Sequence, residues 1–227
     1  MKQKNLPDKR KKRRIQWGDL RKIIPVSRNY GFDRGTPIDR YYIEKFLKEN
    51  KADIKGSVLE IQNRRYTRRF GGRKVSCSDV LDIDRSNKLA TIYADLRNTN
   101  ALPKERYDCI ILTQTLHIID NYDVTIKNIY RMLNKNGILL CTLPSVSRID
   151  YLTGEEGDFW RFTKASARYI FKKHFTKDKL QIQTYGNVFI DICFLEGVSV
   201  EEIDSEELDY YDKYFPLIVC VRAVKRR

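Results

Sequence analysis

The sequence predicts an α/β fold built on a mostly parallel sheet of seven strands with helices on both faces. Two observations carry this reading. Between Tyr107 and Pro144 an apolar run (Cys109 to Leu112) gives way to polar residues, then to a segment with apolar residues at Val124, Ile126, Ile129, Met132 and Leu133, and then to a second apolar run, Ile138 to Leu143. That succession is strand, loop, helix, strand. Both strands are continuous apolar runs rather than alternating ones, the pattern of strands covered on both faces. A strand-like segment precedes this unit at Val58 to Ile61, and a mainly apolar run follows it at Leu217 to Val224.

The elements follow in order. Asp33 to Asp39 has turn chemistry, and the spacing of Tyr41, Tyr42, Phe46 and Leu47 predicts an amphipathic helix from Ile38 to near Asn50. Gly56 opens the first strand, Val58 to Ile61; Lys74 to Leu81 is the second and Ala90 to Ala94 the third. Arg64 to Gly72 is short for a crossover helix, but Gly71-Gly72 permits a sharp return. Tyr107 to Leu112 is the fourth strand and Ile138 to Leu143 the fifth; Gly137 can take the left-handed conformation that closes the intervening helix at low cost, and Asn136 tolerates it better than most residues. Ser166 to Phe175 reads as a helix, Leu180 to Tyr185 alternates as a sixth strand, and Leu217 to Val224 is the seventh.

A chain of 227 residues with 41% hydrophobic residues can build one full core. Five cysteines at 77, 109, 141, 193 and 220 form no CxxC pair and mostly sit in apolar runs, which favours a reducing, cytoplasmic setting and no metal site. No apolar leader segment and no apolar run near twenty residues is visible. Charge is uneven: residues 1–34 hold 12 of the 44 Lys and Arg against 3 acidic residues. Residues 1–33 therefore read as a basic, flexible arm, with six consecutive basic residues at Lys9 to Arg14, and 34–227 as the folded domain. The run suits contact with nucleic acid, anionic lipid or another polyanion; a solvated tail is the favoured reading, because no nucleic-acid module is recognisable elsewhere. Glu196 to Asp212 holds eight acidic residues and no basic one, a segment that either pairs with the arm or is solvated.

Tyr107-Asp108 leading into Gln114-Thr115-Leu116-His117-Ile118-Ile119, and the helix end Leu133-Asn134-Lys135-Asn136-Gly137, resemble the class I S-adenosylmethionine-dependent methyltransferases. Arg34 to Tyr42, Tyr66 to Gly72 and Gly157 to Thr163 look like a bacterial tailoring-type subgroup often found beside glycosyltransferases. The resemblance implies a Rossmann-like sheet closed by an antiparallel edge strand, S-adenosylmethionine as cofactor, and a small-molecule acceptor such as a glycan. It also implies site residues. Glu60 matches the acid of the family's glycine-rich loop, but Gln62 and Arg64 stand where its first two glycines belong, with bulk where methionine should lie. Asp79 is the choice for the ribose-binding acid, with Asp82 second; Asp95 and Leu96 match the adenine-facing element, and Thr113 and Gln114 complete the cofactor set. His117 and Asp158 are the catalytic candidates, since an imidazole can take a hydroxyl proton near neutral pH. In the long segment after the fifth strand, Tyr151, Trp160 and Arg161 are the substrate-contact candidates, and the competing reading is that Trp160 and Phe162 anchor the segment while Arg161 pairs with an acid.

These features lead to O-methylation of a sugar or other small metabolite. The substituted glycines raise an alternative, an inactive pseudo-methyltransferase that serves as a scaffold, and the arm a third, methylation of RNA. Oligomeric state is not legible.

Overall fold

The computed structural model describes residues 18–226; the Lys9 to Arg14 run lies outside the described residues. Strands β1 (Gly56–Ile61), β2 (Val75–Asp82), β3 (Ile92–Tyr93), β4 (Tyr107–Thr113), β5 (Leu133–Pro144), β6 (Leu180–Tyr185) and β7 (Ile218–Val224) form one sheet in the order β3-β2-β1-β4-β5-β7-β6. β1 to β5 pair in parallel, whereas β7 pairs antiparallel with both β5 and β6. The antiparallel member thus lies one strand in from the edge.

Helices α1 (Ile38–Glu49), α2 (Tyr122–Met132), α3 (Gly154–Gly157), α4 (Lys164–Phe171), α5 (Val188–Glu196) and α6 (Ser205–Asp209) surround it. Successive side chains of β4 explain the two-sided burial: Cys109 and Ile111 join α1 and α5 in one core, while Ile110 and Leu112 join α2 and α4 in the other. Residues at the helix starts fix the entries: Asn121 accepts from the backbone N–H of Val124, Thr163 from Ser166, and Asn187 from Ile190. Cys109, Cys141, Cys193 and Cys220 are buried thiols, and Cys77 is exposed. No helix among the described residues is long and apolar enough to cross a membrane.

Of the two candidates for the left-handed residue between α2 and the body of β5, it is Asn136 that takes it (φ 63°). Gly137 is needed for space, because a Cβ there would stand 2.8 Å from the carbonyl oxygens of Asn134 and Tyr107. At the boundary of the basic span, Ser27 donates its N–H to the Glu196 carbonyl (2.9 Å) and Tyr30 stacks on Phe194 at 5.8 Å, so residues 27–30 pack on the domain.

Candidate active site

The polypeptide after β1 turns on Glu60. Its buried carboxylate accepts from the N–H groups of Tyr66 (3.1 Å) and Thr67 (2.8 Å) and from the Thr67 hydroxyl (2.7 Å). Burial raises this carboxyl, and the three donors pull it back. Gln62, at the first expected glycine, has φ 66°. The backbone keeps a left-handed turn there, and the Gln62 Cβ costs about 1 kcal/mol or more. Its N–H donates to Leu81 (3.0 Å) and its carbonyl accepts from Asn87 Nδ2 (2.7 Å), tying this turn to the one after β2. Arg64 does not fill the methionine end: its guanidinium reaches the Leu89 carbonyl (3.5 Å), away from the cavity. The bulk expected at that position is corrected to the Gln62 side chain alone.

The ribose acid is corrected as well. Asp79 lies inside β2 rather than at its end, and its carboxylate accepts from Arg106 (2.7 Å), the Thr91 hydroxyl (2.8 Å) and the buried Tyr107 hydroxyl (3.0 Å). It is a structural hub, buried and already engaged by three donors. Asp82 is the strand's last residue; it accepts from the Asp84 N–H (2.9 Å) and Asn87 Nδ2 (2.7 Å) and stays partly exposed, beside the exposed Ile83. Asp95 follows β3, but Arg97 grips its carboxylate at 2.7 to 3.1 Å and bridges on to Asp120 at 2.8 Å. Arg97 holds the Asp95 carboxyl below its ordinary range. Leu96 is in the core, its carbonyl accepting from Asn128 Nδ2 (2.9 Å).

A cavity of about 420 Å³ opens at the carboxyl ends of β1, β4 and β5, where parallel α/β sheets place ligands. Gln62, Gln114 and His117 line it, as does Tyr151. Thr113 ends β4 and does not line the cavity. Gln114 takes φ 43° and donates its N–H to the Thr142 carbonyl (3.0 Å), which turns the chain into the cavity wall. The His117 ring has a buried Nδ1 without a partner. Burial lowers its pKa to about 4, with Asp158 acting in the opposite sense, so the imidazole is neutral at physiological pH.

Asp158 is not free for catalysis. Both its oxygens are held by Arg161 (2.6 and 2.8 Å), one also accepts from the Asp150 N–H (3.0 Å), and the side chain is buried. Trp160 donates from Nε1 to the Ile119 carbonyl (2.9 Å) and packs edge-on to Tyr122. The N–H groups of Phe159 and Trp160 both donate to the His117 carbonyl (3.0 and 3.1 Å). Trp160 and Arg161 therefore fasten the segment after β5 onto the His117 turn instead of facing the cavity, which corrects their substrate-contact roles.

Asp39, Arg40 and Tyr30 are among the cavity residues to which the sequence reading assigned no site role. Asp39 and Arg40 come from the first turn of α1, and Arg40 also donates to the Tyr66 hydroxyl (3.1 Å). Burial raises the Asp39 carboxyl, with Arg40 opposing. Burial also works against the Arg40 charge, and Asp39 and Tyr66 outweigh it. Tyr30 and Arg148 close the outer side, the Arg148 guanidinium lying 3.6 Å from the Tyr30 ring centre and 4.3 Å from that of Tyr151. The only signal for Asp39 and Arg40 was their place in the family-like Arg34 to Tyr42 stretch.

Sheet order and cavity position are those of class I methyltransferases, and the comparisons agree. The chain belongs to the methyltransferase domain family, whose model matches residues 26–184. Its fold is similar to a SAM-dependent methyltransferase from Archaeoglobus fulgidus (13% identity, TM-score 0.54, covering 82% of this chain and 94% of that one). It is also similar to the N-methyltransferase NodS from Bradyrhizobium japonicum, solved with S-adenosyl-L-homocysteine (12%, 0.53, covering 89% and 95%). A third likeness is to phosphoethanolamine N-methyltransferase 2 of Haemonchus contortus, solved with S-adenosyl-L-methionine (12%, 0.55, covering 82% and 53%). In sequence, 80 residues are 30% identical to "Probable polyketide synthase 8/35" of Dictyostelium discoideum, a stretch equal to 34% of this chain and 3% of that protein.

The residues fit the family's cofactor. The left-handed turn at Gln62 is kept, Glu60 orders the loop, Asp82 stands at the end of β2, and the cavity beyond Gln62 is open.

Proposed function

We propose that this methyltransferase transfers a methyl group to a hydroxyl of a small hydroxylated metabolite, sugars included. The observation that supports it most is the juxtaposition, in one cavity, of a neutral, half-buried His117 with the adjacent acid and base Asp39 and Arg40. S-adenosylmethionine supplies an electrophilic methyl on a sulfonium, so the protein has to position an acceptor in line and accept a proton.

Arg40 and Asp39 have the charges to hold a carboxylate and an ammonium, the two ends of an amino-acid moiety. They supply from α1 the recognition that a shortened, glycine-poor turn after β1 offers less of. Asp82 takes the ribose hydroxyls, and the exposed Ile83 next to it offers an apolar surface to a planar ring. Asp95, pinned by Arg97, orders the adjoining turn at Leu96. Gln62 and Gln114 present amide groups to the cavity on the cofactor's side. His117 takes the acceptor's proton at a ring nitrogen, and Tyr30, Arg148 and Tyr151 limit water entry from outside. The scaffold alternative rested on a plugged methionine end, and Arg64 turned away removes its main support.

Titration calorimetry with S-adenosylhomocysteine, followed by a turnover screen over hydroxylated metabolites, tests the reading. His117→Ala is expected to abolish turnover and retain cofactor binding; retained turnover in this variant would remove the base.

A further inference from the structure

We propose that the mouth of the cavity is a docking surface for an anionic lipid bilayer. Two segments meet there. Arg148 donates to the Arg28 carbonyl (2.8 Å), Arg28 donates to the Tyr151 hydroxyl (3.3 Å), and the Arg148 guanidinium lies between the Tyr30 and Tyr151 rings. The stretch around residues 23–32 is thereby fastened beside residues 148–152. Large apolar side chains of both face outward: Ile23 is 99% exposed, Leu152 95%, Tyr151 61%, Ile24 60% and Phe32 51%. Scattered exposed apolar residues are ordinary, but Phe32, Tyr151 and Leu152 cluster at one opening, and Ile23 and Ile24 stand a few residues earlier on the same fastened stretch, which marks an interaction surface. Phe32, Tyr151 and Leu152 also line the cavity, so whatever covers the patch sits over the entrance.

Charge identifies the occupant. Arg21, Lys22 and Arg28 are exposed within the same stretch, and residues 1–17, directly before it, hold eight Lys and Arg against one Asp. The exposed Glu155 and Glu156 of α3 lie next to Leu152 in sequence, and Glu196 Oε2 is held by the Val26 N–H (3.3 Å), so the patch itself is mixed in sign and long-range attraction comes from the arm. A polybasic segment adjoining exposed aliphatic side chains supplies the two signals that peripheral membrane adsorption needs, phosphate attraction and shallow apolar insertion. Nucleic acid would satisfy the cations but leave Ile23, Ile24 and Leu152 uncovered, since strands are gripped by stacking aromatics. A bilayer covers both. An amphipathic acceptor held in that bilayer would present its polar end at the cavity entrance.

Co-sedimentation of the full-length protein with vesicles tests this, without cofactor, so that its outcome is separate from that of the methyl-transfer reading. Vesicles of phosphatidylcholine with about a third phosphatidylglycerol are expected to retain the protein at low salt, and phosphatidylcholine alone to retain little. Changing Lys9, Arg10, Lys11, Lys12, Arg13 and Arg14 together to Gln should weaken anionic binding a hundredfold or more, on the basis of about fivefold per basic residue near the surface. Ile23→Ser with Leu152→Ser should weaken it about tenfold with an unchanged circular dichroism spectrum, because neither side chain is packed. Absence of binding to anionic vesicles overturns the proposal, as does binding that the double serine variant leaves unchanged. Tight binding of RNA by a protein that ignores vesicles overturns it in favour of a nucleic-acid partner.

Discussion

Replacing Asp79 with alanine separates a structural acid from a cofactor acid. In the fold its carboxylate accepts from Tyr107, Thr91 and Arg106. The Tyr107 side chain is fully buried, so truncation strands its hydroxyl, at about 1 to 3 kcal/mol. The Arg106 end of the ion pair is half exposed, and its loss costs no more than about 1 kcal/mol after solvent screening. The sum, about 1 to 4 kcal/mol, corresponds to a fall in Tm of about 2 to 16 °C at 2 to 4 °C per kcal/mol for a chain of this size. Asp79→Asn keeps an acceptor and should lose less. Asp82→Ala, at a partly exposed strand end, should leave Tm within about 2 °C and weaken S-adenosylhomocysteine at least tenfold, the loss of a charged hydrogen bond. Thermal unfolding followed by circular dichroism, paired with titration calorimetry, reads both. An Asp79→Ala protein with unchanged Tm and abolished binding would refute the reasoning and return the ribose to Asp79.

The other predictions concern strain and protonation. Gln62→Gly relieves a left-handed residue, so it should stabilise the fold by up to about 1 kcal/mol in urea unfolding and tighten the cofactor by clearing the methionine end. Because burial lowers the His117 pKa to about 4, its neutral form prevails above about pH 5, and turnover should show no acid limb near pH 6.5; such a limb would mean that His117 is more basic than its surroundings dictate. Asp191 is buried on α5 with an unpartnered Oδ1, and burial alone raises its pKa to about 7. Its folded-state pKa exceeds the unfolded value of about 3.9, so folding favours the proton, and this site's contribution to stability falls as pH rises between about 4 and 7. Asp191→Asn should flatten that slope and be the more stable protein at pH 8, as denaturant midpoints measured across pH will reveal.

Much of the sheet was legible because strands covered on both faces leave largely apolar runs, as Cys109 to Leu112 of β4, the main run of β5 and Ile218 to Val221 of β7 do, and α1 was legible from a stripe at helical spacing. The helix α5 was not, because Val188 to Glu196 is apolar nearly all round and carries no stripe. Its boundary residues, the Asn187 cap and the left-handed Gly197, were the only cues. Choosing between Asp79 and Asp82 required knowing where β2 ends. The ladder to β3, which pairs Asp82 with Tyr93, extends that strand beyond its apolar residues. Asp158 and Arg161 satisfy each other three residues apart, a pairing that sequence cannot tell from two independent site residues. Tyr30 was hidden by the charge of the segment around it, although its ring packs on Phe194 and carries Arg148.

The central claim is that the turn at Gln62, without its first two glycines, still admits S-adenosylmethionine beside Asp39 and Arg40. Titration calorimetry of the full-length protein with S-adenosylhomocysteine tests it most directly. One site per chain with a Kd of about 1 to 100 µM is expected, weakened tenfold or more in Arg40→Ala. No heat at millimolar ligand from a protein shown folded by its melting transition would contradict it.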